Sequence, residues 1–207
     1  MLNKFTKYLL VLSIIFIYSC SDKQSDVEKI KLETSYKDPS FVLGQTKLLL
    51  GEDTKVAFKG RFDRDSIIEV IGGTEIANSK EWGIRFYLLK LKEGKLSKTW
   101  YTDLLQGSFK NGLCNKIKFP SFDHELIYYN SKDFYLGSGG GEIFSYIINF
   151  NESKTYSAHL VVVSGKPVSL FVSPNIDVPE IRNFFVSIFK KDYPALTIVS
   201  KDIQLQY

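Results

Sequence analysis

The sequence predicts a mainly β protein (α+β at the margin). It reads as an antiparallel meander of about ten strands, forming a sandwich or a barrel, with one amphipathic helix near the C-terminus. Three observations carry this. Apolar and polar residues alternate with period two in many short runs. Compact turn signals separate those runs. One stretch, 181–189, instead has helical spacing. The 16 Phe and 12 Tyr agree, because aromatic side chains fit a pleated, half-buried surface.

Taken in order, Ile30, Leu32, Thr34 and Tyr36 alternate with Lys31, Glu33, Ser35 and Lys37, which predicts a first half-exposed strand. Further strands are expected over 47–50, 55–59, 66–71, 82–91, 96–101, 113–119, 126–129, 133–136, 142–150, 155–163 and 168–172. Glu93-Gly94 and Asn111-Gly112 read as two-residue hairpin turns, since Gly and Asn accept the positive φ of primed turns. Turn clusters at 130–132, 151–153 and 164–167 join other neighbours. Such short links impose antiparallel pairing, because a parallel crossover takes a dozen or more residues. For the helix, Asp177 is placed to accept from the first free N–H groups, and Pro179 and Glu180 suit the first turn. Ile181, Phe184, Phe185, Ile188 and Phe189 form one apolar stripe, Lys190 and Lys191 complement the C-terminal dipole, and Pro194 enforces the stop. A last strand is expected over 196–205.

The N-terminus carries an address. Lys4 and Lys7 precede the eleven-residue run YLLVLSIIFIY, about half the length that spans a bilayer as a helix. The run ends Ile17-Tyr18-Ser19-Cys20. This resembles the lipobox of bacterial lipoproteins, with Tyr18 where a small residue is usual. The resemblance implies a signal peptide over 1–19 and a diacylglyceryl and N-acyl modification of Cys20; the strand and turn pattern then leaves a short tether over 20–28 and a single mainly-β domain over 29–207. The resemblance also implies a body held by its acyl chains at a membrane of the cell envelope, the outer membrane above all, outside the cytoplasm. Several acyl chains on one residue hold a soluble body where one chain binds only marginally.

Without Lys4 and Lys7 the 27 basic residues become 25 against 23 acids, a formal charge of +2. No stripe is dense enough to follow a phosphate backbone, so nucleic acid is excluded as a partner class. With Cys20 acylated, Cys114 stands alone and reads as a small, partly buried side chain.

Gly60 to Gly73 (GRFDRDSIIEVIGG) resembles the FG-GAP repeat of integrin-type propellers, in which an acidic loop between two strands binds Ca²⁺. Asp63, Asp65 and Glu69 match acidic positions of that pattern and are its calcium candidates. Arg61 replaces the first acid, Arg64 and Ser66 replace loop glycines, and a cation inside the loop opposes a metal. The stretch is therefore read as a polar hairpin turn, and no cofactor is expected. Gly137-Ser138-Gly139-Gly140-Gly141 lacks the Gly-Lys-Ser/Thr ending of a phosphate loop and reads as a hairpin tip. His124, between Asp123 and Glu125, reads as part of a solvated turn, and His159 as a strand residue sharing a face with Thr155 and Ser157. Neither lies in a zinc or nucleophile-elbow motif. The expectation is a lipid-anchored envelope protein that binds an envelope protein or glycan. A small envelope hydrolase and an assembly subunit of an outer-membrane complex are the alternatives.

Overall fold

The computed structural model describes residues 34–65, 68–131, 139–174 and 176–200. The chain is a β sandwich with a helix outside each sheet. Helix α1 (Pro39–Leu50) leads into β1 (Thr54–Gly60), β2 (Glu69–Ala77), β3 (Trp82–Lys92) and β4 (Lys95–Tyr101), which form a four-stranded antiparallel sheet in chain order. The second sheet holds β5 (Leu113–Ile117), β6 (Leu126–Asn130), β7 (Gly140–Asn149), β8 (Lys154–Val163), β9 (Ser169–Val172) and, after helix α2 (Pro179–Asp192), β10 (Thr197–Ser200). Its order runs β10-β9-β8-β7-β6-β5, so both sheets keep open edges and neither closes into a barrel.

Period two explains the layers. Ile71, Ile84, Phe86 and Leu88 of the first sheet meet Ile127, Tyr129, Tyr146 and Ile148 of the second in a shared core. Alternate residues of the second sheet, among them Leu126, Ile147, Leu160 and Leu170, pack on Ile181, Phe185 and Phe189 of α2. Val70 and Leu89 face outward from the first sheet and pack with Tyr36 and Val42. Gly72 lets α1 lie this close, since a Cβ there would meet Thr46 at 2.6 Å and Leu50 at 2.7 Å.

The mainly-β sandwich and the C-terminal helix stand as expected, and several details differ. Residues 47–50 are the last turn of α1, not a strand, so a helix packs here that the sequence reading does not expect. Thr34 and Ser35 are helical and Tyr36 and Lys37 form a turn, with Lys37 N–H donating to the Thr34 carbonyl at 3.0 Å, rather than continuing a strand from Ile30; 30–33 lie outside the described residues. Asp38 caps α1 by accepting from Ser40 N–H at 2.9 Å, Pro39 follows it, and Gly51, at φ 100°, ends the helix. The second strand starts at Glu69 instead of Ser66. Glu93 and Gly94 do close the β3–β4 hairpin, both with positive φ. Asn111-Gly112 does not make a hairpin: it lies in the crossing from β4 to β5, whose strands belong to different sheets. Val178 takes the N-cap position of α2, and Asp177 pairs with Lys154 at 3.3 Å. β10 runs parallel to β9, with α2 as the crossover, where a purely antiparallel meander is expected. The expected strand at 133–136 and the end of the last one lie outside the described residues.

Candidate functional site: a basic cleft beside a buried carboxyl pair

The loop between β1 and β2 carries the acidic residues that the sequence singles out, and the fold brings them together. One carboxylate oxygen each from Asp63, Asp65 and Glu69 lies within 4.8 Å of the others. A cation already stands there: the Lys90 ammonium, from β3, pairs with Asp63 and lies 2.6 Å from Asp65. Glu69 is fully buried, and its Oε2 accepts from the backbone N–H of Phe62 and, at 3.0 Å, of Asp63. Burial, with the neighbouring Asp63 carboxyl, pushes the Glu69 acid up to about 8. Burial also raises Asp63, but hydrogen bonds with Glu69, Lys90 and the Asp65 N–H outweigh it and hold that carboxyl below its ordinary value. Burial lowers Lys90, and its bonds to both aspartates more than restore it, leaving it raised. The pair therefore holds one proton, on Glu69, at neutral pH.

That proton has a stability consequence. A carboxyl raised from 4.5 to about 8 binds its proton more tightly folded than unfolded. Its stabilisation is complete below about pH 4.5 and is lost as pH rises through 8. Glu69→Gln keeps an acceptor for the two N–H groups and cannot ionise. The variant is expected to hold a nearly level melting midpoint from pH 5 to 9, while the parent declines over that range. Parallel decline of the two in a thermal-melt series would refute the assignment.

Next to this loop lies an open cleft of about 540 Å³, formed where β1 ends, where α1 begins and where β5 runs alongside. Tyr36, Val42 and Ala57 give it an apolar floor, and Lys37, Lys59, Arg61 and Lys116 ring it. Its one acid is Glu125. That carboxylate is engaged: Oε1 takes the Lys116 ammonium at 2.9 Å and Oε2 accepts from Arg61 N–H at 3.0 Å. Lys116 is fixed further by donating to the Lys59 carbonyl at 2.9 Å. Gly60 makes room for this, since a Cβ there would collide with the Glu125 carboxylate and the Phe62 ring. The Lys37, Lys59 and Arg61 side chains have no acid partner among the described residues. Four cations against one occupied carboxylate, in a concavity, give a focused positive potential.

The other residues that the sequence points to lie elsewhere. His124 is fully buried rather than on a solvated turn. Its Nε2 is 2.9 Å from Asn149 Oδ1 and its Nδ1 3.1 Å from Asp123 Oδ1, which pins the 118–125 connection to the end of β7. The polar pattern D-H-E around it hides this. His159 stacks on Phe144 at 4.3 Å with the rings 9° apart, and its Nε2 is 3.2 Å from Glu142 Oε2. Burial pushes its pKa down, and Glu142 draws it only partly back. Its company is one carboxylate and two phenyl rings, those of Phe144 and Phe171. Cys114 is half-buried at the edge of the shared core, and burial raises its thiol, which disfavours the reactive thiolate. Gly140 and Gly141 are strand residues of β7 paired with Val163 and Val162 of β8, rather than a hairpin tip, while 137 and 138 lie outside the described residues, as does Cys20.

The cleft is what sequence reasoning misses. Its cations are scattered over positions 37, 59, 61 and 116, and none stands in a charge run. Among the described residues no helix is long and apolar enough to cross a membrane. No family model, no curated protein and no solved structure matches the chain.

Proposed function

We propose that this chain is a lipid-anchored binding protein of the bacterial cell envelope, tied to the outer membrane through Cys20, whose ligand is an anion held in the cleft between α1, β1 and β5. The observation that supports binding at this place is the set of three cationic side chains, Lys37, Lys59 and Arg61, left without acid partners around an apolar floor. Charge of one sign gathered in a concavity raises the local concentration of ligands of the opposite sign. The address rests on the lipobox-like end of the leader.

Two measurements test this reading. Intact-mass analysis of the native product is expected to give a chain starting at Cys20 with its acyl groups; an unmodified thiol or a retained leader overturns the address. A photoreactive amino acid at Pro39, which lines the cleft, activated in the native envelope, is expected to give a discrete adduct that Lys59→Glu reduces at least fivefold. Equal adduct yields with and without the charge reversal overturn the site.

A further inference from the structure

The cleft's own chemistry narrows its ligand, granting the reading of it as an anion site. We propose that the cleft takes a phosphate-bearing ligand with an uncharged body: a phosphate ester seated on Lys59, Arg61 and Lys37, its body lying over Tyr36 and Val42.

The four cations differ in what they have left to give. Lys116 is committed twice, to Glu125 and to the Lys59 carbonyl, and acts as a fixed wall charge. Arg61 is anchored at both ends of its peptide: its N–H donates to Glu125 Oε2 and its carbonyl accepts from Glu125 N–H at 2.7 Å. The Arg61 backbone is therefore fixed while its exposed guanidinium has no acid partner among the described residues. A guanidinium held on a rigid backbone suits the paired oxygens of a phosphate, and ammonium groups add point charges from other directions. Lys59 and Arg61 reach the cleft from the end of β1 and Lys37 from the turn before α1, so positive groups approach from two separate segments. Three separate donors around one anion match a group with several acceptor oxygens and more than one negative charge better than a carboxylate with two oxygens. Asp38, next to Lys37, does not compete, because its Oδ1 is turned onto Ser40 N–H.

The rest of the lining limits the ligand's body. The apolar floor, and the Glu125 carboxylate held against the Gly60-Arg61 backbone, disfavour a second anion. The carboxylate keeps acceptor capacity for a hydroxyl, and Tyr36, Val42 and Ala57 accept an apolar surface. The same chemistry is offered by a soluble phosphate ester and by the phosphodiester headgroup of an anionic lipid in the leaflet that holds Cys20. Thirteen residues separate Cys20 from Thr34, a span of at most about 50 Å, so either source is within reach.

Calorimetric titration of the acylated full-length mature protein, in neutral detergent micelles, separates these cases. Glycerol phosphate is expected to bind saturably, at least tenfold more weakly to Lys59→Gln/Arg61→Gln and unchanged for Lys98→Gln on β4. If instead only micelles doped with phosphatidylglycerol give that same dependence, the phosphate assignment stands and the lipid is its source. If neither probe binds, or the double variant binds both as the parent does, the assignment is overturned. If succinate binds in a Lys59- and Arg61-dependent way while both phosphate probes fail, the phosphate assignment falls and the anion-binding reading survives. The glutamine variants keep the backbone bonds of Arg61 and Lys59, and an unchanged melting midpoint verifies that they fold.

Discussion

Replacing Lys90 with Met is expected to cost about 3 kcal/mol of folding stability at neutral pH, read as a lowered urea midpoint. The Lys90 and Asp63 side chains are each only 16% exposed, and Lys90 is the counter-charge for Asp63 and Asp65 together. Removing one partner strands a poorly hydrated carboxylate, which is a much larger loss than that of a surface ion pair. The deficit has a direction in pH. Asp63 is held below its ordinary value, so its contribution is present above that value and disappears as acid protonates it. The gap between Lys90→Met and the parent should therefore narrow as pH falls toward 3. Asp63→Asn in the same chain should recover part of the loss, since an amide needs no counter-charge. A Lys90→Met protein as stable as the parent at pH 7, with the same acid profile, would show that the ammonium does not neutralise this loop. The variant also bears on the calcium pattern that the loop resembles. The side chain in contact with Asp63 and Asp65 is a permanent internal cation, contributed by a strand more than twenty positions downstream.

The second large effect belongs to the core between the sheets. Phe86→Ala is expected to destabilise the protein by about 3–5 kcal/mol, with a fall in Tm of about 10 °C. Phe86 is fully buried. Its ring meets Phe109 edge-on, with centroids 5.6 Å apart, and Tyr129 of the opposite sheet at 6.1 Å. Truncation leaves a void bounded by rigid rings and strand backbones that cannot collapse into it, hence the upper part of the usual range. Leu48→Ala is the matched control, because Leu48 is 82% exposed and its loss should change stability by less than about 0.5 kcal/mol. A Phe86→Ala cost below about 1 kcal/mol would mean that the two sheets do not share this core.

How much of this could be read from the chain follows from the range of the signals. Strands announced themselves wherever the alternation was local and the turn chemistry tight, as at Glu93-Gly94 between β3 and β4. Helix α2 was visible because Ile181, Phe185 and Phe189 recur on one face. Helix α1 escaped because Phe41-Val42-Leu43 and Leu48-Leu49-Leu50 are runs without a polar face, and such runs do not distinguish helix from strand. The Asp38-Pro39 start was the available signal, and it was outweighed by the apparent alternation just before it. The parallel pairing of β10 was missed because a helix near the C-terminus can cap a sheet or form a crossover, and only the partner strand decides which. The site divides in the same way. Asp63, Asp65 and Glu69 are close in sequence and could be named together. Lys90 and the cleft cations come from other strands and turns, and no local pattern links them.

One consequence of the two-sheet arrangement concerns the order in which the molecule acquires its form. The first sheet is a meander whose every pairing joins chain neighbours, so its strands can zip early. Its inner surface of Ile71, Ile84 and Phe86, however, is covered by the second sheet only through residues from 127 onward, Ile127, Tyr129, Tyr146 and Ile148. A nascent chain stopped short of β6 would display an oily sheet without the opposing sheet to cover it, a sticky half-product prone to self-association. Truncations ending before residue 126 should therefore precipitate rather than persist as a smaller folded unit, and any chaperone escorting the chain would be needed for its N-terminal half.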